Sequence, residues 1–127
     1  MKKGFVCGAF DLLHAGHVHL LKKCKEQCDV LVVGLHIDPS TEREFKHKPI
    51  ESMLERQIRL KGCRYVDQVI TYETEADILK IFKYLNIDVR FTGSDHNDDS
   101  AYPIPTIHID SLDIHSSEIR ERIKNGN

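Results

Sequence analysis

The sequence predicts an α/β domain of three layers, α/β/α, around a five-stranded parallel sheet. Short apolar runs alternate with helix-patterned stretches from one end of the chain to the other, which is the signature of βαβ units. The most apolar run, Asp29-Val30-Leu31-Val32-Val33-Gly34-Leu35, is almost continuous and rich in β-branched residues, as befits a strand covered on both faces. Polar residues able to do chemistry follow the strands, at the edge where open parallel sheets hold their ligands.

The first strand is Phe5-Val6-Cys7, and helical spacing follows over residues 17–27 through Val18, Leu20, Leu21 and Cys24. The second strand ends at Pro39, which cannot continue a ladder. Residues 41–49 are polar and charged and read as a mobile loop with a short helical start. Ser52 and Glu55 then form a capping box for a helix whose apolar side is drawn from Met53, Leu54, Ile58 and Leu60, with Gly62 as its stop. Residues 65–70 give a third strand, and residues 74–85 a helix with Ile78, Leu79, Phe82 and Leu85 on its apolar face. A fourth strand spans 88–93, a polar loop 94–100, and a fifth strand 106–109. A last helix begins near Ser116 with Ile119 and Ile123 inward.

With 127 residues the chain is a single domain, 1–127, too short for two ordinary ones. It is 40% hydrophobic and 30% charged with a formal charge of −2, so no basic excess is available for neutralising many nucleic-acid phosphates, and no nucleic-acid partner is expected. No secretory, lipidation or membrane-spanning pattern is present, which makes cytoplasmic localisation and no membrane partner the expectation. Cys7, Cys24, Cys28 and Cys63 fall within predicted strands and helices and read as reduced and mostly buried. Cys24 and Cys28 share a helix face, but no second pair accompanies them, so core packing is preferred to a metal site.

The chain is organised around the loop Gly8-Ala9-Phe10-Asp11-Leu12-Leu13-His14-Ala15-Gly16-His17, where a strand hands over to a helix. The unpaired N–H groups of a helix N-terminus and the helix dipole both favour an anion, and Gly16 removes a side chain that would hold a phosphate away.

This loop resembles the G-x-F-D-L-L-H-x-G-H signature of the small cytidylyltransferases, a family of the HxGH nucleotidyltransferase superfamily. Cys63-Arg64-Tyr65-Val66-Asp67-Gln68-Val69-Ile70 is similar to the family's R-Y-V-D-E-V stretch, and Ile114-His115-Ser116-Ser117-Glu118-Ile119 to its I-S-T-T-x-I motif. The glycerol-3-phosphate cytidylyltransferases are nearest in size and pattern. The resemblance implies a Rossmann-like fold and a reaction in which CTP and a phosphorylated small-molecule acceptor give a CDP-alcohol and pyrophosphate, by in-line attack without a covalent intermediate. It also implies Mg²⁺ carried mainly by the nucleotide's triphosphate, and a homodimer.

By the same resemblance the catalytic residues are His14, His17 and Lys48, with the imidazoles meeting charge on the phosphates. Nucleotide binding is implied for Gly8, Ala9, Phe10, Gly16, Lys46, Arg64, Asp95, Ser116 and Ser117. Lys48, next to Pro49 and nearer the fixed helix, is preferred to Lys46 as the closing cation. Arg64 suits either the nucleotide or the dimer contact, and Ser116 and Ser117 suit both helix capping and phosphate binding. Asp11 is read as holding the turn through backbone hydrogen bonds, with no protein-held metal.

The chain departs from the family pattern after the fourth strand. Gly93-Ser94-Asp95-His96 stands where small bacterial members have G-D-D-W, and the chain has no Trp. The Arg before the last motif is missing, Glu118 replaces a Lys, and Asn97-Asp98-Asp99 adds negative charge that suits a cation or a cationic acceptor. Adenylyl transfer and nucleotide binding without turnover, in a regulatory protein, are the alternative functions.

Overall fold

The computed structural model describes residues 1–41, 47–93, 102–110 and 121–124. Five strands, β1 (Lys3–Gly8), β2 (Val30–His36), β3 (Gln68–Tyr72), β4 (Val89–Gly93) and β5 (Thr106–Ile109), form one parallel sheet in the order β3-β2-β1-β4-β5. Helices α1 (Ala15–Lys25) and α2 (Met53–Lys61) carry the chain outward from β1 to β3. Helix α3 (Ala76–Leu85) returns it to β4 on the other side of β1. The direction of winding therefore reverses between β1 and β4, and the carboxyl end of β1 opens beside that switch point.

Alternation along the strands builds a core on each face. Val6, Leu31, Val33, Leu35, Val89 and Phe91 pack with Leu21 and Cys24 of α1 and Leu60 of α2. Phe5, Val32 and Tyr72 pack with Ile78, Ile81 and Phe82 of α3. Phe5 is fully buried and meets Phe82 edge to face at 5.1 Å; a side chain of this kind stabilises by about 1.5–3 kcal/mol. Its ring fits only because Gly34 on the neighbouring strand has no side chain, since a Cβ there would lie 2.4 Å from the ring.

Ser52 caps α2 as the sequence indicates, its hydroxyl accepting from Glu55 N–H while the Glu55 carboxylate accepts from Ser52 N–H. Four apolar assignments change. Leu54 and Ile58 of α2 point outward, 65% and 61% exposed, because Arg56 and Leu60 occupy its buried face. In α3, Leu79 is 45% exposed and Ile81 takes the core position instead. Strand β3 begins at Gln68 rather than residue 65, since residues 64–67 turn and Asp67 accepts from Leu31 N–H and Lys25. Of the last helix, residues 121–124 are helical, with Ile123 exposed rather than inward. Of the four free cysteines only Cys24 is fully buried, and burial beside Cys28 pushes its thiol pKa up to about 12.

Candidate active site

The loop after β1 is held in a shape that its sequence resists. Phe10 and Leu12 both adopt left-handed backbone, φ 47° and 52°, which costs a bulky residue free energy and persists only where surrounding contacts over-determine it. Those contacts come from the segment before α2. Between the two strained residues, buried Asp11 accepts the Ile50 and Glu51 backbone N–H groups, one on each carboxylate oxygen and both at 2.9 Å. Buried Glu51 accepts Leu12 N–H at 2.8 Å in return, and its other oxygen pairs with Arg59. The Asp11 carboxylate is thus engaged in building the turn.

At the end of the loop, two histidines make a capping box on α1. His14 is the N-cap residue and its Nδ1 accepts Gly16 N–H at 3.0 Å; His17 Nδ1 accepts His14 N–H at 3.3 Å. The rings stack 3.8 Å apart, 19° from parallel, and buried Phe10 packs edge-on against His17 at 5.3 Å. With Nδ1 accepting in both, the neutral rings carry their protons on Nε2, so both are set as donors on the side away from the cap. Gly16 is buried, and its N–H is committed to the His14 ring instead of facing a phosphate.

Gly8 ends β1, Ala9 follows it, and Lys48 lies exposed in the loop before α2, close enough to Asp38 to help lower that carboxylate's pKa. The main cause at Asp38 is the hydrogen bond from the Ser40 hydroxyl. The structure therefore brings Gly8, Ala9, Phe10, Gly16, His14 and His17 together at the carboxyl edge, with Lys48 on the adjoining loop. It does not bring Arg64 to them. Arg64 follows the C-terminus of α2, at the amino edge of the sheet, exposed and over the Tyr65 ring at 5.5 Å. Tyr65 and Val66 pack on the core, so most of that string serves the fold. Lys46, Asp95, Ser116 and Ser117 lie outside the described residues. An apolar trough of about 620 Å³ beside α3, lined by Ile70, Ile81 and Tyr84, contains none of these groups.

Sequence reasoning missed Arg56. It is 3% exposed, and its guanidinium donates to the carbonyls of His36 and Ile37, each at 2.7 Å, and of Ala9 at 3.2 Å. Desolvation holds its pKa below the usual value, opposed by the charges of Asp11, Asp38 and Glu51. The available signal was its spacing, since Arg56 lies three residues after Met53 and four before Leu60, on the inner stripe of an otherwise amphipathic helix.

A parallel three-layer α/β sheet with a capped helix N-terminus and paired imidazoles at its switch point is a kind of domain suited to phosphate ligands. The comparisons are specific about which kind. Residues 5–112 match the cytidylyltransferase-like family model, and the chain belongs to that family. It is 36% identical over 134 residues to an ethanolamine-phosphate cytidylyltransferase of Arabidopsis thaliana, covering 94% of this chain and 32% of that protein. It is 42% identical over 92 residues to an FAD synthase of Thermococcus sibiricus, covering 72% of this chain and 62% of that one. A bifunctional protein HldE of Campylobacter curvus is 37% identical over 72% of this chain and 20% of its own length. The chain thus spans a fifth to about three-fifths of these relatives. A solved structure, the lipopolysaccharide core biosynthesis protein from Thermoplasma volcanium, superposes with a TM-score of 0.76 at 28% identity, covering 89% of this chain and 99% of that one.

Proposed function

We propose that this chain is a nucleotidyltransferase that moves CMP from CTP to the phosphate of a small phosphorylated alcohol. An oxygen of the acceptor phosphate bonds to the α-phosphorus in line as the bond to the β-phosphate oxygen breaks, and pyrophosphate leaves. The observation that carries the reading is the His14–His17 pair, tautomer-locked at the N-terminus of α1 beside the switch point. Two Nε2 donors there suit the charge that gathers on the α-phosphate and the leaving group. Lys48, on a long flexible side chain in the adjoining loop, suits closure over the triphosphate. Lys46, Asp95, Ser116 and Ser117 complete the proposed nucleotide site.

Mg²⁺ fits this site as a companion of the triphosphate. Both Asp11 oxygens accept backbone N–H groups, and among the described residues no group of three His, Cys, Asp or Glu side chains is placed to hold a metal. A cation that keeps several waters and takes its anionic ligands from phosphate needs no protein cage.

The acceptor is assigned to the ethanolamine phosphate and glycerol phosphate class, on the ethanolamine-phosphate cytidylyltransferase relative and on the family string at Gly8–His17. Adenylyl transfer is the second reading, favoured by the likeness to an FAD synthase, whose product contains an adenylyl group. The deciding assay is pyrophosphate release from CTP or ATP with Mg²⁺ and a panel of phosphorylated alcohols. Release with CTP and one acceptor is expected; release with ATP alone selects the second reading, and tight CTP binding without release selects a nucleotide-binding regulatory protein.

The chain is further proposed to act as a homodimer in the cytoplasm. Among the described residues no helix is long and apolar enough to cross a membrane.

A further inference from the structure

We propose that Arg56 is a positioning residue for the nucleotide: it ties the carboxyl ends of β1 and β2 together through three carbonyls and places beneath the Gly8–His17 loop a positive charge that a bound triphosphate completes. The proposal rests on the nucleotidyltransferase reading above and deepens it.

Four observations carry it. First, the guanidinium is buried, its Nε has no hydrogen-bond partner, and among the described residues no carboxylate lies within ion-pair distance. Second, the nearby acids are occupied elsewhere: Asp11 on Ile50 and Glu51, Glu51 on Leu12 and Arg59, Asp38 on Ser40. A buried cation that feels Asp11, Asp38 and Glu51 only from beyond ion-pair distance is still costly, and an apolar side chain would fill the stripe between Met53 and Leu60 without that cost. Third, the carbonyls that Arg56 gathers lie at the carboxyl ends of two neighbouring strands, Ala9 just after β1, His36 at the end of β2 and Ile37 just after it, and β1 leads into the imidazole loop. Fourth, the peptide bonds are trans, so turning the Ala9 and Ile37 carbonyls toward Arg56 turns the following N–H groups, of Phe10 and Asp38, the opposite way. Arg56 thereby draws backbone oxygens away from the place where phosphate oxygens are to sit, and its own charge favours the same anion.

Arg56→Met keeps the volume and removes the charge and the fork; Arg56→Lys keeps the charge and cannot span three carbonyls. Both are made in the full chain and titrated calorimetrically with inorganic tripolyphosphate, CTP and ATP, with circular dichroism to confirm folding. Expected are a loss of at least tenfold in tripolyphosphate affinity for Arg56→Met and a smaller loss for Arg56→Lys. A folded Arg56→Met with wild-type tripolyphosphate affinity and only a lowered melting temperature overturns the proposal. Should Arg56→Met not fold, Arg56→Lys decides: weaker binding supports the proposal and unchanged binding overturns it. A wild-type chain that binds CTP and ATP equally, with the Arg56→Met loss intact, sinks the cytidylyl assignment and upholds this one. A wild-type chain that binds none of the three overturns both.

Discussion

The imidazoles of His14 and His17 lie 3.8 Å apart and nearly parallel, and the same two side chains close both halves of the cap on α1. Stability and the proposed phosphate chemistry are therefore superimposed on one pair of rings, and substitutions can separate them. Asn is as good an N-cap as any residue, and Gln serves at the third helical position of a capping box. His14→Asn and His17→Gln should keep the melting temperature near that of the parent while pyrophosphate release falls by at least about a hundredfold, the usual cost of losing one such donor. His17→Ala should lose the same activity and, in addition, about 1 kcal/mol of stability with the cap. Turnover that survives in both conservative variants would reduce the pair to a structural cap.

The fold was legible because its signals are local and redundant: the Val30–Leu35 run, the Ser52–Glu55 box and the spacing of Ile78 and Phe82 each point to one element. His14 and His17 were legible through their motif, although their mutual stacking was not. Arg56 was missed because its role depends on three carbonyls separated from it by 19 to 47 residues, and a charge on a helix reads by default as solvated. Leu54 and Ile58 were misplaced by the same default, since Arg56 holds the inward position that they were assumed to share. Arg64 was placed by resemblance, which carries no information about which edge of the sheet its turn occupies.

Asp11 and Glu51 clasp the strained loop reciprocally, so loosening either releases stored strain at Phe10 and Leu12. Asp11→Asn replaces one acceptor by an amide that faces a backbone N–H. A buried donor left without a partner costs about 1–3 kcal/mol. Urea midpoints should fall accordingly, and the thermal shift produced by CTP should shrink as the His14 and His17 rings lose their fixed placement. Glu51→Gln keeps an acceptor for Leu12 and turns its amide N–H groups toward Arg59, losing that pair; because the Arg59 side chain is half exposed and can turn to water, its losses should be smaller. An Asp11→Asn chain unchanged in both measurements would show that the loop holds its shape without the clasp.

Three carboxylates, Glu55 exposed and Asp38 and Asp77 partly so, should make the chain acid-sensitive. Hydrogen bonds from Ser52 N–H to Glu55, from Thr74 N–H to Asp77 and from the Ser40 hydroxyl to Asp38 each lower the folded-state pKa. A carboxylate whose pKa is lower folded than unfolded stabilises fully above its unfolded value, near pH 4, and loses that contribution as pH falls through the folded value. Denaturant midpoints should hold steady from pH 7 to about 5 and drop below about 4. Glu55→Gln, which keeps the capping box but does not titrate, should flatten part of that drop; an identical profile would remove Glu55 from the explanation.

Leu54 and Ile58, one turn apart on the outside of α2, are 65% and 61% exposed, and Ile50, in the segment just before the helix, is 61% exposed, so three aliphatic side chains face solvent there. The charges on this helix are self-complementary, with Glu55 in its first turn and Arg59 and Lys61 in its last. A second copy related by a two-fold axis would lie antiparallel, these side chains against their counterparts, each acidic end against a basic one and the helix dipoles opposed. Such a contact also stiffens the site, because α2 carries Arg56 on its inner side and, at the surface, the Arg59 that pairs with Glu51. Three aliphatic side chains offset only part of the entropy of association, so the interface should be marginal and sensitive to a single change. Each buried side chain is worth about 1.5–3 kcal/mol, which is roughly a tenfold to a hundredfold change in Kd. Sedimentation should accordingly find a wild-type dimer and, for Leu54→Glu with an unchanged circular dichroism spectrum, a shift to monomer at the same concentration. A wild-type monomer throughout the micromolar range would remove the dimer, whereas a Leu54→Glu dimer would move the contact to another face.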